Sequence, residues 1–199
     1  MNIIERAKGI ILKPSETWQE IKREQISIGE LYTSYAVILA AIPAIAQFIG
    51  MGLIGYSFMG VHFRIGIGNA LGYAISSYVL SLVGIYVAGF VVDTLAPSFS
   101  SQRDMVNACK SVVYSMTPVW VAGVFYIIPP LSVLVILAGI YGIYLFYLGL
   151  PLLMETPKEK ALGYVIVVII VTIIINFVFG MVANSIFIRG QMGMGMMVL

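Results

Sequence analysis

The sequence predicts an all-α integral membrane bundle of five transmembrane helices, preceded by short N-terminal amphipathic helices. Three observations predict it. The runs 31–63, 65–92, 111–154 and 161–188 contain no Lys, Arg, Asp or Glu. About 20 apolar residues rising ~1.5 Å each cross a ~30 Å hydrocarbon core, so every run is long enough to span. Of the 199 residues 60% are hydrophobic and 10% charged, and mean hydropathy is +1.01. That is more apolar surface than a core of this size can hide, so lipid must act as part of the solvent. Finally, stretches such as 165–175 are apolar on every face, as in a lipid-embedded helix and unlike the alternating strands of a barrel.

Residues 1–30 form the first unit. Ile3, Ile4, Ala7, Ile10 and Ile11 share one helical stripe while Glu5, Arg6 and Lys8 fall elsewhere, the pattern of a helix lying on a membrane surface. Pro14 ends it. Residues 15–24 read as a second short helix with Trp18 and Ile21 facing inward. Arg6, Lys8, Lys13 and Trp18 are the candidate lipid-surface contacts, since tryptophan suits the headgroup level. The plainer reading is that both helices only cover the cytoplasmic face of the bundle. The first apolar run starts after about thirty mixed-charge residues, too late and too long for a cleavable signal.

Residues 31–188 form the membrane domain, with spans near 32–53, 69–92, 109–128, 131–154 and 157–186. The first contains Pro43 among Ala36, Ala40, Ala41, Ala44 and Ala46, small residues that let helices approach closely in lipid. The second opens with a GxxxG, Gly68 and Gly72, echoed by Ser77 and Ser81. Packing within the chain is the first reading of that motif, and dimerisation the second. The Ser-rich segment 97–103 is a cytoplasmic turn. Pro129-Pro130 splits the longest run into a third and a fourth span joined by a tight turn. Thr156-Pro157-Lys158-Glu159 suits a helix start, with a capping threonine and proline in the first turn. A Met- and Gly-rich tail, 189–199, follows.

Basic residues set the topology. With the N-terminus in the cytoplasm, Arg6, Lys8, Lys13, Lys22, Arg23, Arg103, Lys110, Lys158 and Lys160 fall inside, and only Arg64 and Arg189 fall outside. The positive-inside rule therefore favours a cytoplasmic N-terminus and an external C-terminus.

Chemistry-bearing patterns are few. HExxH, GxSxG, GxGD and P-loop spacings do not occur. Cys109 is a lone cysteine and His62 a lone histidine. No catalytic residue, cofactor or metal site is expected, and an enzyme is not. A net charge of +2 gives no case for nucleic acid. The tail methionines, with Met51, Met59 and His62 on the same side, could offer soft ligands to Cu(I); a disordered apolar end is the preferred reading. Asp93 is the acidic residue closest to a span interior, and an end charge paired with Lys110 is its plainer explanation. Asn176 lies deep among Ile and Val and must find a partner in another helix. Tyr144, with Tyr141 and Tyr147, fills a packed interior and an aromatic belt more readily than it lines a polar path.

Three motifs remain: Pro14-Ser15-Glu16-Thr17-Trp18, Tyr114-Ser115-Met116-Thr117-Pro118 and Gly149-Leu150-Pro151-Leu152-Leu153-Met154. In this order, within a five-span layout, the chain resembles the Yip domain family over about residues 3–188. These are membrane proteins named for interaction with Ypt/Rab GTPases. In its own right, Pro118 removes a backbone donor, so a kink or a freed carbonyl near Tyr114 is expected. The Asp-Leu-Tyr-Gly-Pro signature of the eukaryotic branch is absent; Asp93-Thr94-Leu95-Ala96-Pro97 only echoes it. The resemblance therefore implies the compact prokaryotic branch, in a cell inner membrane, and Rab binding is not carried over. The expected function is a non-enzymatic membrane scaffold or organiser whose cytoplasmic face engages membrane lipids or a protein partner, and which can form a homo-oligomer. The alternative is a small transporter or channel with Asp93, Asn176 and the tyrosines along its path. Five spans do not divide into the two inverted repeats common in transporters unless the chain dimerises.

Overall fold

In the computed structural model, residues 2–58, 61–63 and 65–195 are described, with side chains outside 56–64, 129, 176 and 178–195. Met59 and the side chains of Asn176, His62 and the methionine tail therefore lie outside what is described. Helices carry almost all of the structure. α1 (Ile3–Leu12) starts where the Asn2 side chain accepts from the amides of Ile4 and Glu5, and Pro14 opens α2 (Pro14–Arg23) at once. A capping box sets the start of α3 (Ile28–Ile54): the Ser27 hydroxyl accepts from the Glu30 amide, and the Glu30 carboxylate accepts from the Ser27 amide. Gly55, at φ 75°, ends α3 in a conformation that favours glycine. A short antiparallel ribbon, Tyr56–Phe58 against Val61–Phe63, interrupts the otherwise helical chain.

α4 (Ile67–Leu95) runs back and tightens into a 3-10 turn through Phe99. α5 (Met105–Ser115) is capped by Asp104, and α6 (Thr117–Ala122) begins afresh one residue later. Through two 3-10 turns around Ile128 the chain reaches α7 (Val133–Leu153), and α8 (Lys158–Gly195) completes the fold. α4 packs on α3, α5 and α8; α7 packs on α5, α6 and α8; and the α1–α2 hairpin sits on α5, α6 and α7.

Three helices among the described residues are long and apolar enough to cross a membrane: Ile28–Ile54, Ile67–Phe99 and Pro130–Leu153. Five were expected. The third expected span is broken at Met116, where Pro118 cannot supply a backbone donor and a new helix starts. The fifth lies in α8, which opens with Lys158, Glu159 and Lys160 and whose side chains are described only through Phe177. Thr156, expected to cap that helix, is instead buried, its hydroxyl 2.8 Å from that of Ser101.

Small residues place the helices where close approach was expected, and also elsewhere. A Cβ on Gly123 would lie 2.6 Å from Cβ of Pro43, so α3 and the end of α6 meet at that proline. Gly68 and Gly72 have nothing within 4 Å of an added Cβ. The GxxxG expected to pack within the chain does not do so; the close approaches of α4 occur at Gly89, against Cys109, and at Ala70, against Gly52.

Candidate functional site

The three sequence motifs converge on one place, the seat of the α1–α2 hairpin. Trp18 projects from α2 and is fully buried. Its ring lies on Gly149 of α7, where an added Cβ would come 2.9 Å from Cζ2. Its centroid is 6.3 Å from that of Tyr114, with the planes at 87°, an edge-to-face pair. Tyr114 in turn packs 4.8 Å from Tyr35 of α3, and the Arg6 guanidinium carbon lies 6.0 Å from its centroid.

Polar groups tie the same residues together. The Tyr114 hydroxyl donates to Glu24 at 3.1 Å. Thr117 donates to the Tyr114 carbonyl at 2.7 Å, so the residue beside Pro118 takes up the acceptor expected to be freed there. With that hydroxyl proton committed, Tyr35 donates to Thr117 Oγ1 at 2.8 Å. Lys110, itself buried, donates to the carbonyls of Ile21 and Glu24 at the end of α2. A cation there satisfies orphan carbonyls and complements the helix dipole. Arg6 pairs with Glu20 at 3.0 Å and Glu24 at 3.7 Å. On the other side of the hairpin, Tyr141 donates to the Ile11 carbonyl at 2.7 Å. Arg6 Nε and Trp18 Nε1 are buried with no hydrogen-bond partner, so the seat is closely packed but incompletely paired.

This corrects several expectations. Trp18 and Arg6 are not lipid-surface contacts: the first is buried against Gly149, and the second is turned inward, its side chain 14% exposed, by Glu20 and Glu24. Lys8 and Lys13 are exposed, and Lys13 pairs with Glu16 at 3.7 Å. Asp93 is paired not with Lys110 but with Arg103, Nη2 to Oδ2 at 2.6 Å and Nε to Oδ2 at 3.1 Å. Arg103 sits in the loop just before the helix start and can reach back, whereas Lys110 lies on the α5 face turned towards α2. Tyr144 faces outward and is 48% exposed, touching Tyr141 at 5.8 Å between centroids. Glu24, Tyr35, Thr117 and Lys110 belong to the seat and were not singled out for it. A lysine inside an otherwise uncharged helix was the available signal for Lys110, since a buried ammonium requires acceptors.

A second knot stands apart, around Asp93 and Arg103. Gln102 donates through its side chain to Glu155 and through its amide to the Met154 carbonyl at 2.8 Å. Lys160 donates to Ser100 at 2.7 Å, and Phe99 stacks on Tyr164 at 4.5 Å. These contacts fasten the loop after α4 to the loop between α7 and α8. Among the described residues, no group of three His, Cys, Asp or Glu could hold a metal ion.

The Thr117 junction gives a direct test. Thr117→Val removes both hydrogen bonds and leaves the buried Tyr35 hydroxyl unpaired, a loss of about 1–3 kcal/mol. Adding Tyr35→Phe removes the orphan, so the double variant is expected to melt above Thr117→Val alone in detergent. A double variant that melts at or below the single one would refute this pairing.

A family match spans residues 8–180, most of the chain, and its description is Yip1 domain. The chain belongs to the Yip1 domain family. The match takes in Trp18, the Tyr114–Pro118 element and Gly149, so the seat is built from residues inside the Yip1 domain. Two relatives are named Inner membrane protein YohC, from Escherichia coli K12 and from the O6:H1 strain CFT073 of the same species. Each is 28% identical over 160 residues, covering 78% of this chain and 82% of the relative. No solved structure matches. With its three long apolar helices, this Yip1 domain protein is a multi-pass membrane protein.

Proposed function

We propose that this Yip1 domain protein is a non-enzymatic membrane scaffold that presents its α1–α2 hairpin to lipid or a protein partner at the cytoplasmic face. In this reading the broken α5–α6 segment and α8 also cross the bilayer, which gives five crossings, an internal N-terminus and an external C-terminus. The basic-residue distribution supports that orientation.

One observation carries the reading: the separation of polar from apolar space. The cavity of about 310 Å³ among α4, α5, α6, α7 and α8 is walled mostly by apolar side chains, among them Ala88, Val112, Val119 and Phe146, with Ser115 and Thr172 as its polar members. The polar grooves border α1, α2 and the start of α5, where Arg6, Glu24 and Lys110 sit. A solute path needs polar groups along its depth, and the walls of this cavity offer two hydroxyls, Ser115 and Thr172, and no charged side chain. Asp93 is held at a helix end by Arg103, and Tyr144 points outward.

Reconstitution tests it. Proteoliposomes are expected to show no protein-dependent flux of protons, common ions or small metabolites. A flux that disappears in Asn176→Leu would establish the transporter alternative and end the scaffold reading.

A further inference from the structure

α1 has two apolar faces. One holds Ala7 and Ile10, buried on the bundle. The other carries Ile4, Lys8 and Leu12, spaced four apart and so aligned on one side. Ile4 is 62% exposed and Leu12 75%, and Lys8 is exposed between them. Large apolar side chains left open beside a buried stripe call for a second apolar environment.

That face borders a groove of about 500 Å³, the size of an ordinary small-molecule site. Its walls include Ile3 and Ile11 of α1, Ile38 and Leu39 of α3, and Val121 of α6. Lys8 is the one charged residue on the lining. Ile38 lies about 15 Å along α3 from its start at Ile28, inside the first membrane-crossing helix. The groove therefore opens towards acyl chains rather than bulk water.

Lys22 and Arg23, at the far end of α2, are exposed but do not line the groove, and apart from Lys8 the remaining cations near the hairpin are engaged. Arg6 is held by Glu20 and Glu24, Lys13 by Glu16, and Lys110 by the end of α2. Among the described residues Lys8 makes no ion pair, and its four-carbon stem can lie on the groove wall while the ammonium reaches the headgroup level.

We infer that this groove binds one anionic phospholipid of the cytoplasmic leaflet. An acyl chain lies along Ile3, Ile11, Ile38 and Val121, and the Lys8 ammonium meets the phosphate. Charge complementarity selects the occupant: one unneutralised cation at the mouth of an apolar slot prefers a net-negative headgroup to a zwitterionic one. The inference rests on the proposed cytoplasmic placement of the hairpin and names the lipid class it engages.

The test is native mass spectrometry of the delipidated full-length protein. It is titrated with phosphatidylglycerol and with phosphatidylcholine of identical chains. Wild type is expected to retain one phosphatidylglycerol in preference to phosphatidylcholine. Lys8→Gln should weaken phosphatidylglycerol about fivefold, the usual worth of one lysine at an anionic surface, and leave phosphatidylcholine unchanged. Ile38→Trp and, separately, Val121→Phe fill the slot and should weaken both lipids. Arg23→Gln, an exposed cation off the groove, should change neither. A phosphatidylglycerol preference that survives Lys8→Gln, or undiminished binding in both groove-filling variants, overturns the site. A preference lost in Arg23→Gln and kept in Lys8→Gln overturns the site while leaving a lipid-engaging cytoplasmic face intact. A wild type with no preference at all overturns both the site and lipid engagement.

Discussion

Trp18→Ala is expected to release the α1–α2 hairpin while the membrane bundle stays folded. Trp18 is fully buried, and its contacts are divided between Gly149 of α7 and Tyr114 of α5. Truncating a buried tryptophan to alanine costs about 3–5 kcal/mol. Here the loss falls on one docking event rather than on the whole fold. Local opening should therefore rise by at least two orders of magnitude, at ~1.4 kcal/mol per tenfold. Trypsin reports the opening, because Lys22 and Arg23 lie on the hairpin and cleavage there follows its release. Cys109 reports the bundle: it is buried against Gly89 of α4. The expected result is fast cleavage at Lys22 and Arg23 with Cys109 still closed to maleimide. Gly149→Leu should behave alike, since its side chain must occupy the space of the indole ring. Cleavage at the wild-type rate, or Cys109 labelling in step with cleavage, would sink the idea of a separable hairpin.

That experiment addresses what the sequence does and does not encode openly. The apolar stripe of α1 and the inward side of α2 were legible from periodicity, and both helices are present. What they pack against was not legible. Periodicity measures which side of a helix avoids water, and a bilayer and a protein groove satisfy it equally. Trp18 and Arg6 were thus assigned to the membrane surface, and both belong to a protein interface. Asp93 shows the same limit for charge. Its position predicted a partner near a helix end, while the choice of Arg103 over Lys110 depends on loop geometry no spacing rule supplies. The Tyr114–Pro118 element, by contrast, announced a kink or a freed carbonyl within one span, and the structure ends one helix and starts another at Met116. Its contacts with Tyr35 and Trp18 join residues far apart in sequence, which only the tertiary arrangement brings together.

Small residues divide in a similar way, and they yield the largest steric prediction. Gly50→Ala is expected to disrupt the bundle, although Gly50 belongs to no GxxxG pair that drew notice. The turn of α3 that carries it crosses the 3-10 segment ending α6, and an alanine Cβ would lie 2.2 Å from the carbonyl oxygen of Tyr126 and 3.2 Å from that of Ile127. The obstacle is backbone, so no side-chain rotation can relieve it. One helix must move by roughly an ångström, and overpacking of this kind costs about 1–3 kcal/mol, more when backbones collide. In lipid, where apolar surfaces gain little by meeting each other, such close backbone contact is much of what holds helices together. Gly68→Ala is the matched control. It adds the same methyl group on α4 into open space, so its effect should stay within about 0.5 kcal/mol. Thermal melts of both variants in one detergent, read by size-exclusion of the folded fraction, separate the two positions. Gly50→Ala should lose several degrees or fail to fold, and Gly68→Ala should match wild type. Equal melting of the two variants would mean that α3 and α6 do not approach as closely as the structure places them.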